Sequence, residues 1–277
     1  MIPRDYITEW RARAPWVQDF QVEQDLVISR AMVEIFSHPV LADGLAFRGG
    51  TALYKLYLKP ARYSEDIDMV QLRAEASGSI MDALREVLDP WLGNPHWKQT
   101  KDGFTFVYRF DSEDTPPMRL RLKVEINSRE HFSVFGFNRL PFSVDSRWFR
   151  GTSDIVTYEL DELLATKLRA LYQRKKGRDL FDLATALGDS AVDPDRVAEA
   201  FIQYMARSGH PVTRALFERN LAGKLCDPQF SADISPLLAG GHRWDLTEVT
   251  RTVSECLIAL LPGAPWKGEE QARLQSS

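Results

Sequence analysis

The sequence predicts an α+β protein: a mixed-sheet domain over residues 1–155, then a helical domain over residues 156–277. Three observations lead there. Residues 104–110 and 118–126 alternate apolar and polar side chains, the period of half-buried strands. From Glu159 nearly to Pro262 the apolar residues instead recur at the helical interval. Two short apolar runs, Leu45–Phe47 and Ile67–Val70, flank residues of special chemistry, Gly49-Gly50 and Asp66-x-Asp68.

Taken in order, Trp16–Phe36 reads as a helix with a wide apolar stripe, ended by Pro39. Leu45–Phe47 is a strand or helix end running into the Gly-Gly turn. Ala52–Leu58 reads as a helix, and Asp66–Val70 as a strand. Ser77–Leu92 is amphipathic, with Ser77 or Ser79 as its cap. Trp97–Thr100 and Phe104–Phe110 flank Asp102-Gly103, a strong hairpin signal. Met118–Ile126 is a strand with Leu120, Leu122, Val124 and Ile126 on one face and Arg119, Arg121, Lys123 and Glu125 on the other. Residues 131–158 suggest several short β-like runs, the last at Ile155–Tyr158. Helices are expected over 161–176, 193–207, 212–225 and 246–261, with a polar, loose tail from Gly263.

Composition bounds the function. The 277 residues are 44% hydrophobic and 27% charged, an ordinary globular balance. No apolar run approaches the roughly 20 residues that span a bilayer, and Met1–Arg13 has no signal-peptide core. Cys226 and Cys256 have no metal-binding spacing and the five histidines are scattered, so no zinc site is readable. A cytoplasmic location with no membrane partner is the expectation. The formal net charge of −4 means that nucleic acid would have to be met by a local basic patch. Arg119, Arg121, Lys123, Arg169, Lys175 and Lys176 are the candidates for it.

The chemistry centres on residues 49–68. On a strand, Asp66 and Asp68 project to the same side while Ile67 enters the core. Two neighbouring carboxylates call for a cation, and Mg²⁺ takes oxygen ligands while leaving positions for water and phosphate. Gly49 and Gly50 let the backbone approach a phosphate, and Thr51 opens the next helix. Ser64 lies two residues before Asp66, so its hydroxyl points to the carboxylate side; a phosphate there would oppose an incoming triphosphate.

A second cluster lies in the helical part. At 100° per residue, Leu160, Leu163, Leu164 and Leu171 fall within about 60° of Lys167, and Arg174 within about 20°. Lys167 therefore sits on an apolar face, either snorkelling or paired with a buried group. Asp179 is on the inward side of the following helix, with Asp182 at the edge of that stripe. Arg178 and Asp182 are spaced to pair.

Phe47-Arg48-Gly49-Gly50-Thr51-Ala52-Leu53 and Arg62-Tyr63-Ser64-Glu65-Asp66-Ile67-Asp68 resemble the first motif of the DNA polymerase β-type nucleotidyltransferase superfamily. The wording resembles more narrowly the AbiEii/AbiGii toxins of type IV toxin–antitoxin and abortive-infection systems. Arg178-Asp179-Leu180-Phe181-Asp182-Leu183 is similar to that family's last motif, and Lys167 stands where the family carries a helical lysine. The resemblance covers about residues 20–190. It implies a polymerase β-type domain followed by a helical domain that contributes basic and acidic site residues. It implies transfer of NMP from an NTP to an RNA acceptor, with tRNA the leading candidate, a block of translation, and a cognate antitoxin. Asp66, Asp68, Lys167 and an aspartate of the last motif would be catalytic; the motif fits either Asp179 or Asp182, with Asp179 favoured and Asp182 as its support. Asp66, Asp68 and Glu125, the last matching the family's third carboxylate, would hold Mg²⁺. Gly49, Gly50, Thr51, Ser64, Lys167, Arg174 and Asp182 would bind the nucleotide. The rival readings are transfer to a protein or small-molecule hydroxyl, and an inactive nucleotide- or antitoxin-binding module.

Overall fold

The structure, a computed structural model, describes residues 2–268. The part of the expected loose tail beyond residue 268 lies outside the described residues. The chain divides into two compact units. One runs to Glu159 and includes Leu238–Gly241; the other comprises Leu160–Leu237 and the chain from His242.

The first unit opens with α1 (Arg4–Trp10), α2 (Asp19–Ser37) and α3 (Pro39–Gly44). Helix α2 is buried almost all round, and the buried set includes polar Gln21, Glu23, Gln24, Asp25 and Ser29 as well as its apolar stripe. Its buried Asp25 is satisfied by the indole N–H groups of Trp10 (2.8 Å) and Trp16 (3.0 Å) and by Lys55 (2.6 Å). Pro39 does not simply stop the helix; it starts α3 at the first-turn position, where a missing N–H costs nothing.

β1 (Leu45–Arg48) leads into α4 (Gly49–Ala52), which continues as a π-helical turn over Leu53–Tyr57. The helix expected from Ala52 thus begins at the glycines. β2 (Asp66–Gln71), α5 (Gly78–Leu92), β3 (His96–Thr100), β4 (Gly103–Asp111), β5 (Arg119–Asn127), β6 (Phe137–Asp145) and β7 (Arg150–Tyr158) follow. The strands form one mixed sheet in the order β3-β4-β5-β2-β1-β7-β6. β2 runs parallel to β5, and β1 parallel to β7. Residues 131–158 hold two nine-residue strands paired as a hairpin, not several short runs. Pro141 interrupts the alternation there, and β6 tolerates it because it is an edge strand.

Alternation sets the sheet's two faces. Phe104, Phe106, Tyr108 and Phe110 of β4 and Leu120, Leu122, Val124 and Ile126 of β5 are buried. Each such side chain contributes about 1.5–3 kcal/mol by leaving water. The polar residues between them face outward, and β3 is exposed throughout.

The second unit is helical: α6 (Leu160–Gln173), α7 (Gly177–Ala186), α8 (Pro194–Arg207), α9 (Arg214–Leu225), α10 (Pro228–Ala232) and α11 (Leu246–Cys256). Leu163, Leu164, Leu168 and Leu171 of α6 meet a core with Phe201, Tyr204 and Phe217. Asp193 and Asp245 cap α8 and α11 by accepting from backbone N–H groups of the first turn. The helix expected to reach residue 261 ends at Cys256 and gives way to a 3₁₀ turn at Ile258–Leu260.

Candidate active site

The register of the sheet assembles the first cluster. Asp68 lies between Arg48 on β1 and Glu125 on β5, and Asp66 lies beside Lys123. The carboxylates of residues 66, 68 and 125 therefore share the outward face. Asp66 has one carboxylate oxygen, Oδ1, that is buried and has no hydrogen-bond partner. Burial, and then the neighbouring Asp68, push the Asp66 pKa up to about 6. Lys123 forms an ion pair with Glu125. Burial alone would lower the Lys123 pKa, but Glu125, Asp66 and Asp68 outweigh it and raise the value above that of an ordinary lysine.

The Gly-Gly turn is pressed against these groups. Gly49 has φ +85°, and a Cβ there would come within 2.5 Å of Asp68 Oδ2. A Cβ on Gly50 would run into the Arg62 guanidinium and come within 3.1 Å of Ser64 Oγ. Asp68, Arg62 and Ser64 leave no room for a side chain at either glycine, whereas the sequence reading expected that room to serve a phosphate. Thr51 departs from expectation: it is buried, and its hydroxyl donates to the Asp66 carbonyl oxygen at 2.5 Å and lies 2.9 Å from Ser64 Oγ. That hydroxyl stitches the turn to β2. Thr51, Ser64, Arg62, Lys55, Tyr54 and Trp16 also line a cavity of about 150 Å³.

Arg62 opens the Arg62–Asp68 motif but carries no role in the sequence reading. It is only 2% exposed, donates to the Tyr63 carbonyl at 2.9 Å and lies over the Tyr54 ring. The signal for it is its place at the head of that motif, two residues before Ser64.

The second unit brings together Lys167, Arg174, Asp179 and Asp182. Lys167 is 5% exposed and its Nζ lies 2.8 Å from Asp182 Oδ2 and 3.3 Å from Asp179 Oδ1. Arg174 grips Asp179 with two nitrogens, at 2.7 Å and 2.9 Å, and its own side chain is 50% exposed. Both aspartates are fully buried. Burial would raise the Asp179 carboxyl, but Lys167 and then Arg174 hold it below the usual value. Of the two options left open for Lys167, the structure shows pairing with buried groups, not snorkelling. Arg178 pairs with Asp233 at 3.7 Å rather than being spent on the spaced Asp182, whose carboxylate is turned inward to Lys167.

The six cations of the expected basic patch are largely engaged within the protein. Arg119 binds Asp111 (2.9 Å), Arg121 binds Glu65 (3.4 Å), Lys175 binds Asp227 (3.0 Å) and Lys176 binds Asp233 (3.2 Å). Arg169 lies over the Tyr204 ring.

Among the described residues no group of three or more His, Cys, Asp or Glu side chains is placed to hold a metal ion, so the expected trio of Asp66, Asp68 and Glu125 is not assembled, and Glu125 pairs with Lys123 instead. The donor set at Asp66 and Asp68 nevertheless fits a hard divalent cation: oxygen ligands only, one of them buried and unpartnered, with like charges crowded together.

Comparison with known proteins places this geometry. The family model for the nucleotidyl transferase AbiEii toxin of type IV toxin–antitoxin systems matches residues 30–252. Among solved structures, the chain is similar to MenT4, a nucleotidyltransferase toxin from Mycobacterium tuberculosis H37Rv. The two share 18% identity, with 99% of this chain and 93% of that chain covered and a TM-score of 0.64. JHP933 from Helicobacter pylori is similar at 16% identity, with 94% and 96% covered and a TM-score of 0.55. No curated protein matches the sequence.

Proposed function

Because the chain belongs to the AbiEii family of nucleotidyltransferase toxins of type IV toxin–antitoxin systems, we propose that it transfers NMP from an NTP to a hydroxyl of RNA, most readily tRNA, and so blocks translation. In that reaction the acceptor oxygen bonds to the α-phosphorus, the α–β anhydride bond breaks, pyrophosphate leaves and the hydroxyl proton passes to solvent. The observation that carries the reading is the outward carboxylate group of β2, Asp66 with its unpartnered buried oxygen and Asp68 braced on Gly49.

Asp66 and Asp68 would hold Mg²⁺. When bound, the ion supplies charge stabilisation for the transferring phosphoryl group. Gly49 and Gly50 let the turn pack against Asp68, Arg62 and Ser64 with bare backbone, the part that would meet a phosphate, and Thr51 fixes the turn through the Asp66 carbonyl. Arg174, half exposed and gripped by Asp179, is the second unit's candidate cation for nucleotide phosphate, and Lys167 and Asp182 complete the buried ion-pair cluster behind Asp179. Catalysis of this kind is positioning and electrostatics. An antitoxin made with the toxin is the partner that belonging to the family supports.

The test is incubation of the protein with each labelled NTP, Mg²⁺ and total RNA. Label in a tRNA-sized band supports the proposal. Label on protein favours a protein hydroxyl as acceptor, and no label with any NTP favours an inactive binding module.

A further inference from the structure

The outward face of strands β3, β4 and β5 carries five cations, Lys98, Arg109, Arg119, Arg121 and Lys123, against two carboxylates, Asp111 and Glu125. This excess of positive charge stands out in a chain whose formal net charge is −4. The register makes it one continuous surface. Lys98 pairs with Thr105, which pairs with Glu125, which pairs with Asp68. One step along the strands, His96, Val107, Lys123 and Asp66 form the parallel row. Residues paired across strands point to the same side, so the cations and the catalytic-candidate carboxylates share one face.

Two details separate this face from an ordinary solvated one. Arg109 and Arg121 stand directly opposite each other, an arrangement that opposes strand pairing. Arg121 is relieved by Glu65 at 3.4 Å. Among the described residues no acidic side chain forms an ion pair with Arg109 or Lys98, and both are exposed. Neighbouring strands lie about 4.8 Å apart, with same-face residues about 7 Å apart along each. That grid suits a run of backbone phosphates better than a single anion.

We infer that this sheet face is the docking surface for the phosphodiester backbone of the RNA acceptor, with Lys98 and Arg109 contacting phosphates and Lys123 at the end nearest Asp66. The inference rests on the RNA-transfer reading above. It assigns binding of the acceptor, not of the NTP, to residues outside the carboxylate cluster. Phosphate contacts of this kind carry affinity and register rather than base sequence.

The experiment uses the full chain and a purified tRNA pool. Wild type is compared with Lys98→Gln/Arg109→Gln and Lys98→Glu/Arg109→Glu, at salt from about 50 mM to about 200 mM. The neutral variant should lower the slope of log(kcat/KM) for tRNA against log salt by about 2, near one per lost phosphate contact. The reversed variant should raise the tRNA KM at least tenfold. KM for NTP should hold in both, and the melting temperature should hold or rise because the Arg109–Arg121 opposition is removed. Wild-type tRNA kinetics and salt slope in both variants would overturn the surface while leaving RNA transfer standing. Loss of polyglutamate binding with unchanged tRNA kinetics would overturn it in favour of an acidic protein. Wild-type label landing on protein instead of RNA would remove the transfer reading and this surface together.

Discussion

Asp66 combines a buried, unpartnered oxygen with a like-charged neighbour, an arrangement that costs stability. Asp66→Ala should reduce label transfer by at least about a thousandfold, the order expected when several kcal/mol of charge stabilisation are lost. Its melting temperature should equal or exceed that of wild type, and near-normal transfer would reject the two-carboxylate assignment. Gly50 makes a steric prediction. Arg62 is too buried to swing away from an added methyl group, so Gly50→Ala should cost about 1–3 kcal/mol and raise the KM for NTP. Gly78→Ala, with nothing within 4 Å of the added carbon, is the control; urea titration should show it neutral or slightly stabilised. Lys167 takes one of the two options its spacing left open, pairing with buried groups. A lysine serving only phosphates would be dispensable for folding, yet this one neutralises two fully buried aspartates. Lys167→Ala should therefore cost about 3–5 kcal/mol by chemical denaturation, because it strands buried charge. A loss under about 1 kcal/mol would mean that the pair is not buried in solution.

The two helices α6 and α9 are tied by Lys224, which donates to the last-turn carbonyls of Leu171 and, at 2.7 Å, Tyr172. These are carbonyls that a helix end leaves without partners. Burial pulls the Lys224 pKa from 10.5 down to about 8. With the folded value depressed, the folded state binds fewer protons than the unfolded chain between those values. Stability from this group is thus present above about 10.5 and lost as pH falls through about 8. The unfolding free energy of wild type relative to Lys224→Met should shift in favour of wild type as pH rises across that window; a constant difference would show that Lys224 is solvated. Elements of this kind were unevenly legible. β4 and β5 announced themselves because one face is buried and one is wet, so period two is written into the residues. The carboxylates of β2 were legible for the same reason. The β6–β7 hairpin was not, since an edge strand with Pro141 breaks the alternation. The partners of Lys167 were half legible: helical angles placed it on the apolar face, but only packing shows that Asp182 faces it.

The first unit is not one continuous stretch of chain. Leu238–Gly241 belongs to it, although the sequence around it is helical and the intervening chain builds the other unit. Nothing in a four-residue segment signals such a return: it has no period, and its contacts are with backbone. Leu238 pairs with Arg62, and the N–H of Ala239 donates to the Ala61 carbonyl at 3.0 Å. Ala239 is 4% exposed, so this is an interior contact. Its importance follows from what comes next: Arg62 backs Gly50, and Ser64 meets Thr51. A late segment of the chain thereby holds the loop that shapes the Gly-Gly turn. Ala239→Pro removes the donor and leaves the Ala61 carbonyl without this partner, at a cost of about 1–3 kcal/mol. If the segment serves the turn, KM for NTP should rise several-fold at temperatures where the variant remains folded. KM for the RNA acceptor should stay near that of wild type, because Lys98 and Arg109 lie on strands that this contact does not touch. A lower melting temperature with both KM values unchanged would show that the return only adds stability and does not set the geometry of the turn.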